Sequence, residues 1–196
     1  MFLMHEPAEQ EIRAFLATQQ GRPFSYSPAG ITRDPPSSGY NIDHNRIQLG
    51  YGPHSFTAAV AAIRNWKMFD IGWVRLISSD TPIETGSTVA VVVNHLGFWS
   101  MNACRIVYIV EESHTNESFG FAYGTLPGHA ERGEERFTVE WNKRDDSVWY
   151  DILAVSKPGP LARLGYPYAR RLQRRFAMDS KRAMKRAVVG EGICSK

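Results

Sequence analysis

The sequence predicts an α+β fold in which a curved antiparallel sheet of about seven strands wraps a long C-terminal helix. Three observations carry this. Between Trp73 and Pro158, six runs alternate apolar and polar residues with period two, and each run is closed by turn-forming residues. No helical pattern separates those runs, so neighbouring strands must pair antiparallel, without crossovers. From Gly159 to Val189 the period changes to that of a helix: Leu161, Leu164, Tyr168, Leu172, Phe176, Ser180, Ala183 and Ala187 recur at steps of three and four on an otherwise basic surface.

The first element is a short helix over residues 7–20, with Pro7 in its first turn, glutamates near its start and Gly21 as its stop; Ile12, Phe15 and Leu16 form its apolar stripe. Residues 22–40 are rich in Pro, Gly and Ser and read as a surface connection, packed down by Phe24, Tyr26 and Tyr40. Residues 41–50 alternate as a strand, and residues 53–69 read as one alanine-rich helix with Phe56, Val60, Ile63 and Met68 on a face. The six later strands are expected at 73–78, 88–95, 103–111, 119–125, 135–142 and 147–156. Pro167 lacks an amide donor, so the last element is expected to divide into a short turn near 160–165 and a main helix from about Pro167. Leu172 and Phe176 would point at the sheet and the arginines outward.

The 196 residues read as one domain: residues 1–40 as helix and packed connection, 41–189 as the body and 190–196 as a tail. A chain of this size buries roughly 70% of its unfolded surface and needs no staple. Residues 159–196 hold ten Lys/Arg against two acidic residues, whereas residues 1–158 hold thirteen against eighteen. The basic helix is therefore either a solvated face or a weak contact for an anionic membrane surface. Nucleic acid is disfavoured, because only Tyr166, Tyr168 and Phe176 lie among its arginines. Cys104 and Cys194 lack CxxC spacing, the apolar start is too short for a signal segment, and no run is long enough to span a bilayer. A reduced, cytoplasmic protein is the expectation.

The order of elements resembles the helix-grip arrangement of the START-like superfamily of pollen allergens, lipid-transfer proteins and polyketide-cyclase-like proteins. That resemblance implies a pocket for a hydrophobic or amphipathic small molecule between sheet and helix. The wording of the chain is closer to something narrower. YNIDHNRIQLGYG (40–52), WKMFDIGWVRL (66–76), FGFAYGTLPGHAERGEERFTVEW (119–141) and LARLGYPYARRLQRRFAMDS (161–180) resemble a family of bacteria and plants designated domain of unknown function 1990. The match spans nearly the whole chain and implies no particular activity.

Residues suited to lining such a pocket are Tyr40, His44, His95, Tyr108, Tyr123, His129, Glu135, Tyr150, Leu172 and Phe176. Tyrosines offer hydroxyls that orient a bound molecule. The segment 124–135 sets His129 near Glu131, Glu134 and Glu135, which reads either as a charged hairpin tip or as a general base beside carboxylates. It lacks GxxxxGK[ST], and its acids would repel phosphate. Adjacent Asp43 and His44 point to opposite strand faces and cannot form a pair. HExxH, clustered His/Cys and GxSxG are absent, so no metal, cofactor or nucleophile is expected. The sequence names no catalytic residue. It supports a ligand carrier first. An enzyme of cyclase, hydratase or isomerase type comes second, with His129 or His95 moving a proton and Glu135 and a tyrosine orienting substrate. A basic docking surface for anionic lipid, nucleic acid or protein comes third.

Overall fold

A computed structural model describes residues 1–77, 81–95, 97–113, 116–158 and 166–191. Its elements are β1 (Phe2–Leu3), α1 (Glu9–Gln19), β2 (Asn41–Tyr51), α2 (Gly52–Arg64), a 3-10 turn (Lys67–Phe69), β3 (Val74–Ile77), β4 (Thr88–Asn94), β5 (Trp99–Ser113), β6 (Asn116–Thr125), β7 (Glu131–Asn142), β8 (Ser147–Pro158) and α3 (Tyr166–Glu191). The sheet is antiparallel throughout, in the order β2-β8-β7-β6-β5-β4-β3, and β1 adds to the free stretch of β5. It curls into a half-barrel around α3. The short turn expected near 160–165 lies outside the described residues.

Alternation divides the sheet into two unlike faces. On the concave face Val89, Cys104, Ile106, Phe121, Phe137, Val139 and Ile152 form the main core with residues of α2 and α3. On the convex face Ala90, Val92 and Met101 receive Ile12, Phe15 and Leu16 of α1. The connection before β2 covers the same face further along, where Tyr26 and Ile31 pack on Leu153 and Val155 with Phe24 and Tyr40 beside them. Gly124 makes that fit achievable, since a side chain there would strike the Tyr26 ring.

The expected helix over 53–69 is broken. α2 ends at Arg64, and Trp66 takes a left-handed φ of 54° before the 3-10 turn. The break turns the indole onto Phe121, edge to face at 4.8 Å between centroids. Such a pair contributes about 0.5–1.5 kcal/mol beyond the area it buries.

In α3 the buried residues are Ala177, Ser180, Ala183, Met184 and Val188, with Phe176 packed against Phe69 at 5.4 Å. Tyr168 is exposed, so the buried stripe is rotated from the one expected. The arginines do not all face outward either. Arg170 turns inward and bonds both carboxylate oxygens of Asp43.

Candidate functional site

Strand register stacks the concave-face side chains in rows. Phe119, Val139, Tyr150 and Ile47 form one row, and Phe121, Phe137, Ile152 and Asn45 the next. Tyr123, Glu135, Ala154 and Asp43 follow, and beyond them Gly133 faces Ser156. The rows therefore change from large and apolar to small and polar along the strands. Gly133, Ala154 and Ser156 cannot fill the space beneath the first half of α3, and a cavity of about 540 Å³ remains. Phe69, Trp73, Val74, Val91, Val93, Leu172 and Phe176 supply its apolar walls. Trp73 is fixed to α3 by its Nε1–H, which donates to Asp179 at 3.0 Å.

Glu135 stands in the floor with one hydrogen bond, from the Tyr123 hydroxyl at 2.9 Å. Burial raises its pKa to about 7, against the lowering effect of that bond, with a smaller upward push from Asp43. Its partly accessible surface is the side it turns to the cavity. Burial likewise raises Tyr123 and the Cys104 thiol.

A polar group closes the α3 side. Arg170 is shared between Asp43 and Gln173, Gln173 reaches Ser156, and Ser156 donates to Glu131 at 3.3 Å. Burial raises the Glu131 pKa, and its Oε1 is buried with no hydrogen-bond partner. On the far wall His95 Nε2 meets Ser100 Oγ at 2.7 Å, and Asn102 donates to the same oxygen. Burial lowers the His95 pKa. His129 is lowered to about 4, first by burial and then by the nearby N-terminal amine. Its Nδ1 accepts the Glu131 amide at 3.0 Å, which leaves the proton of the neutral ring on Nε2.

Of the expected pocket residues, the structure brings His95, Tyr123, His129, Glu135, Leu172 and Phe176 together around the cavity. Four lie elsewhere. His44 belongs to a rim strand, but its imidazole points to the convex face and meets Asp151 at 2.5 Å. A bulge between Ile106 and Tyr108 shifts the β5 alternation, so Tyr108 pairs with Ala122 and bonds Thr32 on the convex face. Tyr40 lies on that face too, beneath Lys157. Tyr150 faces inward but is fully buried, its hydroxyl bonded to Ser180 of α3 at 2.9 Å.

The sequence reading named Glu131 only as a carboxylate near His129, and it missed Asp43, Arg170 and Asn102 as cavity residues. Asn102 was accessible to it: a polar residue at the inward parity of Cys104 and Ile106, in a strand begun four residues too late. The others depend on how α3 lies on the sheet. Among the described residues, no group of three His, Cys, Asp or Glu could hold a metal ion.

Fold and cavity define a helix-grip protein, with a C-terminal helix held over an internal space by a curled sheet. The fold is similar to that of the di-domain ARO/CYC StfQ from the steffimycin biosynthetic pathway, at TM-score 0.51 and 13% identity over 78% of this chain and 52% of that one. At that identity the likeness concerns the fold alone. The chain belongs to the family described as Domain of unknown function (DUF1990), whose model matches residues 25–183. A UPF0548 protein of Dictyostelium discoideum is 36% identical over 207 aligned positions, covering 96% of each chain. UPF0548 protein At2g17695 of Arabidopsis thaliana is 36% identical over 150, covering 74% of this chain and 72% of the relative.

Proposed function

We propose that this protein binds a small hydrophobic or amphipathic molecule in the cavity between its sheet and α3, as a cytoplasmic carrier or receptor. The observation that supports this most directly is the volume itself. About 540 Å³ lies within the range of small-molecule sites, and its lining combines aromatic and aliphatic walls with a polar, carboxylate-bearing end. His95, Tyr123, His129, Glu135, Leu172 and Phe176 are the residues assigned to the ligand. No helix among the described residues is long and apolar enough to cross a membrane. Arg171, Arg182 and Lys185 are exposed on α3 and suit weak contact with an anionic lipid surface. The test is native mass spectrometry of freshly purified protein, followed by solvent extraction. A bound small molecule is expected; empty protein that also fails to take up an added apolar dye would refute the reading.

One observation favours a second reading, in which the cavity catalyses proton transfer. The Glu135 carboxyl titrates near neutrality beside the Tyr123 hydroxyl, as a general base does. Neither His95 nor His129 bonds this pair, so in this reading Glu135 takes the part of the base. Deuterium exchange at the α-carbons of 4-phenyl-2-butanone, followed by NMR, tests it. Exchange should be accelerated by the wild type and not by Glu135→Gln.

A further inference from the structure

We infer that the ligand is an amphipathic amine, a cationic nitrogen on an apolar or aromatic body. This deepens the carrier reading and rests on it. Of the carboxylates in the lining, Asp43, Glu131 and Glu135 lie on the cavity side and Glu134 turns to the convex face, and among the described residues no cation bonds Glu135. Arg170 bonds Asp43 and Gln173 and attracts Glu131 more weakly, while Arg174 belongs to the lining and is exposed. The two cavity histidines add no charge, because burial favours their neutral rings.

Of Glu131 and Glu135, the second is the less served, since Glu131 has Ser156, Gln173 and Arg170 around it. Glu131 Oε1 is buried without a donor, and Glu135 has Tyr123 alone. A buried carboxylate lacking donors is costly, and an ammonium group supplies up to three of them together with a charge. Ala154 keeps the floor beside Glu135 low, since it occupies the register position between Glu135 and Asp43. The aromatic faces of Phe69, Trp73 and Phe176 suit the body of such a molecule and tolerate positive charge next to it. An anionic ligand of the same shape would be repelled by Glu131 and Glu135, since Asp43 is already paired with Arg170.

Three probes sharing one apolar body separate the alternatives: 4-phenylbutylamine, 4-phenylbutanol and 4-phenylbutanoate, titrated calorimetrically into the wild type, Glu135→Gln and Glu131→Gln. The amine should bind about tenfold or more tightly than the alcohol, the scale of one charge-assisted hydrogen bond, and the carboxylate weakest. Each Gln variant should shrink the amine-to-alcohol ratio at least threefold and leave alcohol affinity in place, which also shows that the variant is folded. Carboxylate binding equal to or tighter than amine overturns the amine assignment and leaves the carrier reading standing. So does an amine-to-alcohol ratio unchanged in both variants. Failure of all three probes to bind overturns both.

Discussion

Glu134 and Glu135 are neighbours on β7 that point to opposite faces of the sheet, and the hydrogen-bond donors have gone to the first. Glu134 accepts from the Tyr26 hydroxyl at 2.6 Å, the Gly30 amide at 2.8 Å, the Thr32 amide at 3.1 Å and the Thr32 hydroxyl. Glu135 accepts from Tyr123 alone. One carboxylate clamps the connection before β2 to the convex face, and the other waits in the cavity. Replacing Glu134 by Ala strands buried donors, two of them backbone amides, and should cost about 2–4 kcal/mol in urea unfolding.

Glu135→Gln should do the opposite at neutral pH. The carboxyl is raised from its ordinary 4.5 to about 7, so between those values the folded protein binds more protons than the unfolded chain. Its contribution therefore makes stability fall as pH rises through that window. The variant removes this loss. Relative to wild type it should be unchanged near pH 4 and more stable by roughly 2–3 kcal/mol at pH 8. Urea midpoints at the two pH values measure the difference.

His129 works with the reverse sign. Its folded pKa of about 4 lies below the ordinary 6.5, so the unfolded chain binds more protons between them, and stability is lost as pH falls from 6.5 toward 4. The Glu135 and His129 slopes oppose each other between about pH 4.5 and 6.5 and flatten the wild-type profile there. NMR titration should find the His129 midpoint well below 6, with the neutral ring protonated on Nε2.

Ala154→Leu should block the cavity without unfolding the protein. The added carbons enter existing space between Glu135 and Asp43, so the change in stability should stay within about 1–2 kcal/mol. Binding of any cavity ligand should fall at least tenfold in the same calorimetric titration.

Arg170 and Arg171 are adjacent on α3 and should behave differently. Arg171 is exposed, and its replacement by Ala should change stability by no more than about 0.5 kcal/mol. Arg170→Ala leaves Asp43 without its bidentate partner in a partly buried position and should cost about 1–3 kcal/mol. Phe176→Ala, which empties the contact with Phe69 and Phe137, should cost about 3 kcal/mol or more. Chemical denaturation of the three variants gives the order.

Most of the scaffold was legible because strand and helix periods are local. The strands of the meander, the helix after them and the alternation that sends Phe121, Tyr123, Glu135 and Phe137 to one face all follow from spacing along the chain. Tyr108 and His44 mark where spacing stopped being enough. A bulge at Val107 reverses a face without leaving a signature in composition. The side of β2 on which His44 falls follows from its pairing with β8.

Local pattern is enough to say which residues form strands, that they pair as neighbours, and that an amphipathic helix must cover the result, since each depends on a period of two or 3.6 residues. The tertiary structure decided the azimuth of that helix, which carries Arg170 inward to Asp43 and leaves Tyr168 exposed. It also decided the alignment of Gly133, Ala154 and Ser156 from two strands into one hollow. Those facts depend on contacts between residues as far as 127 positions apart in the chain, where packing rather than local preference chooses the partner.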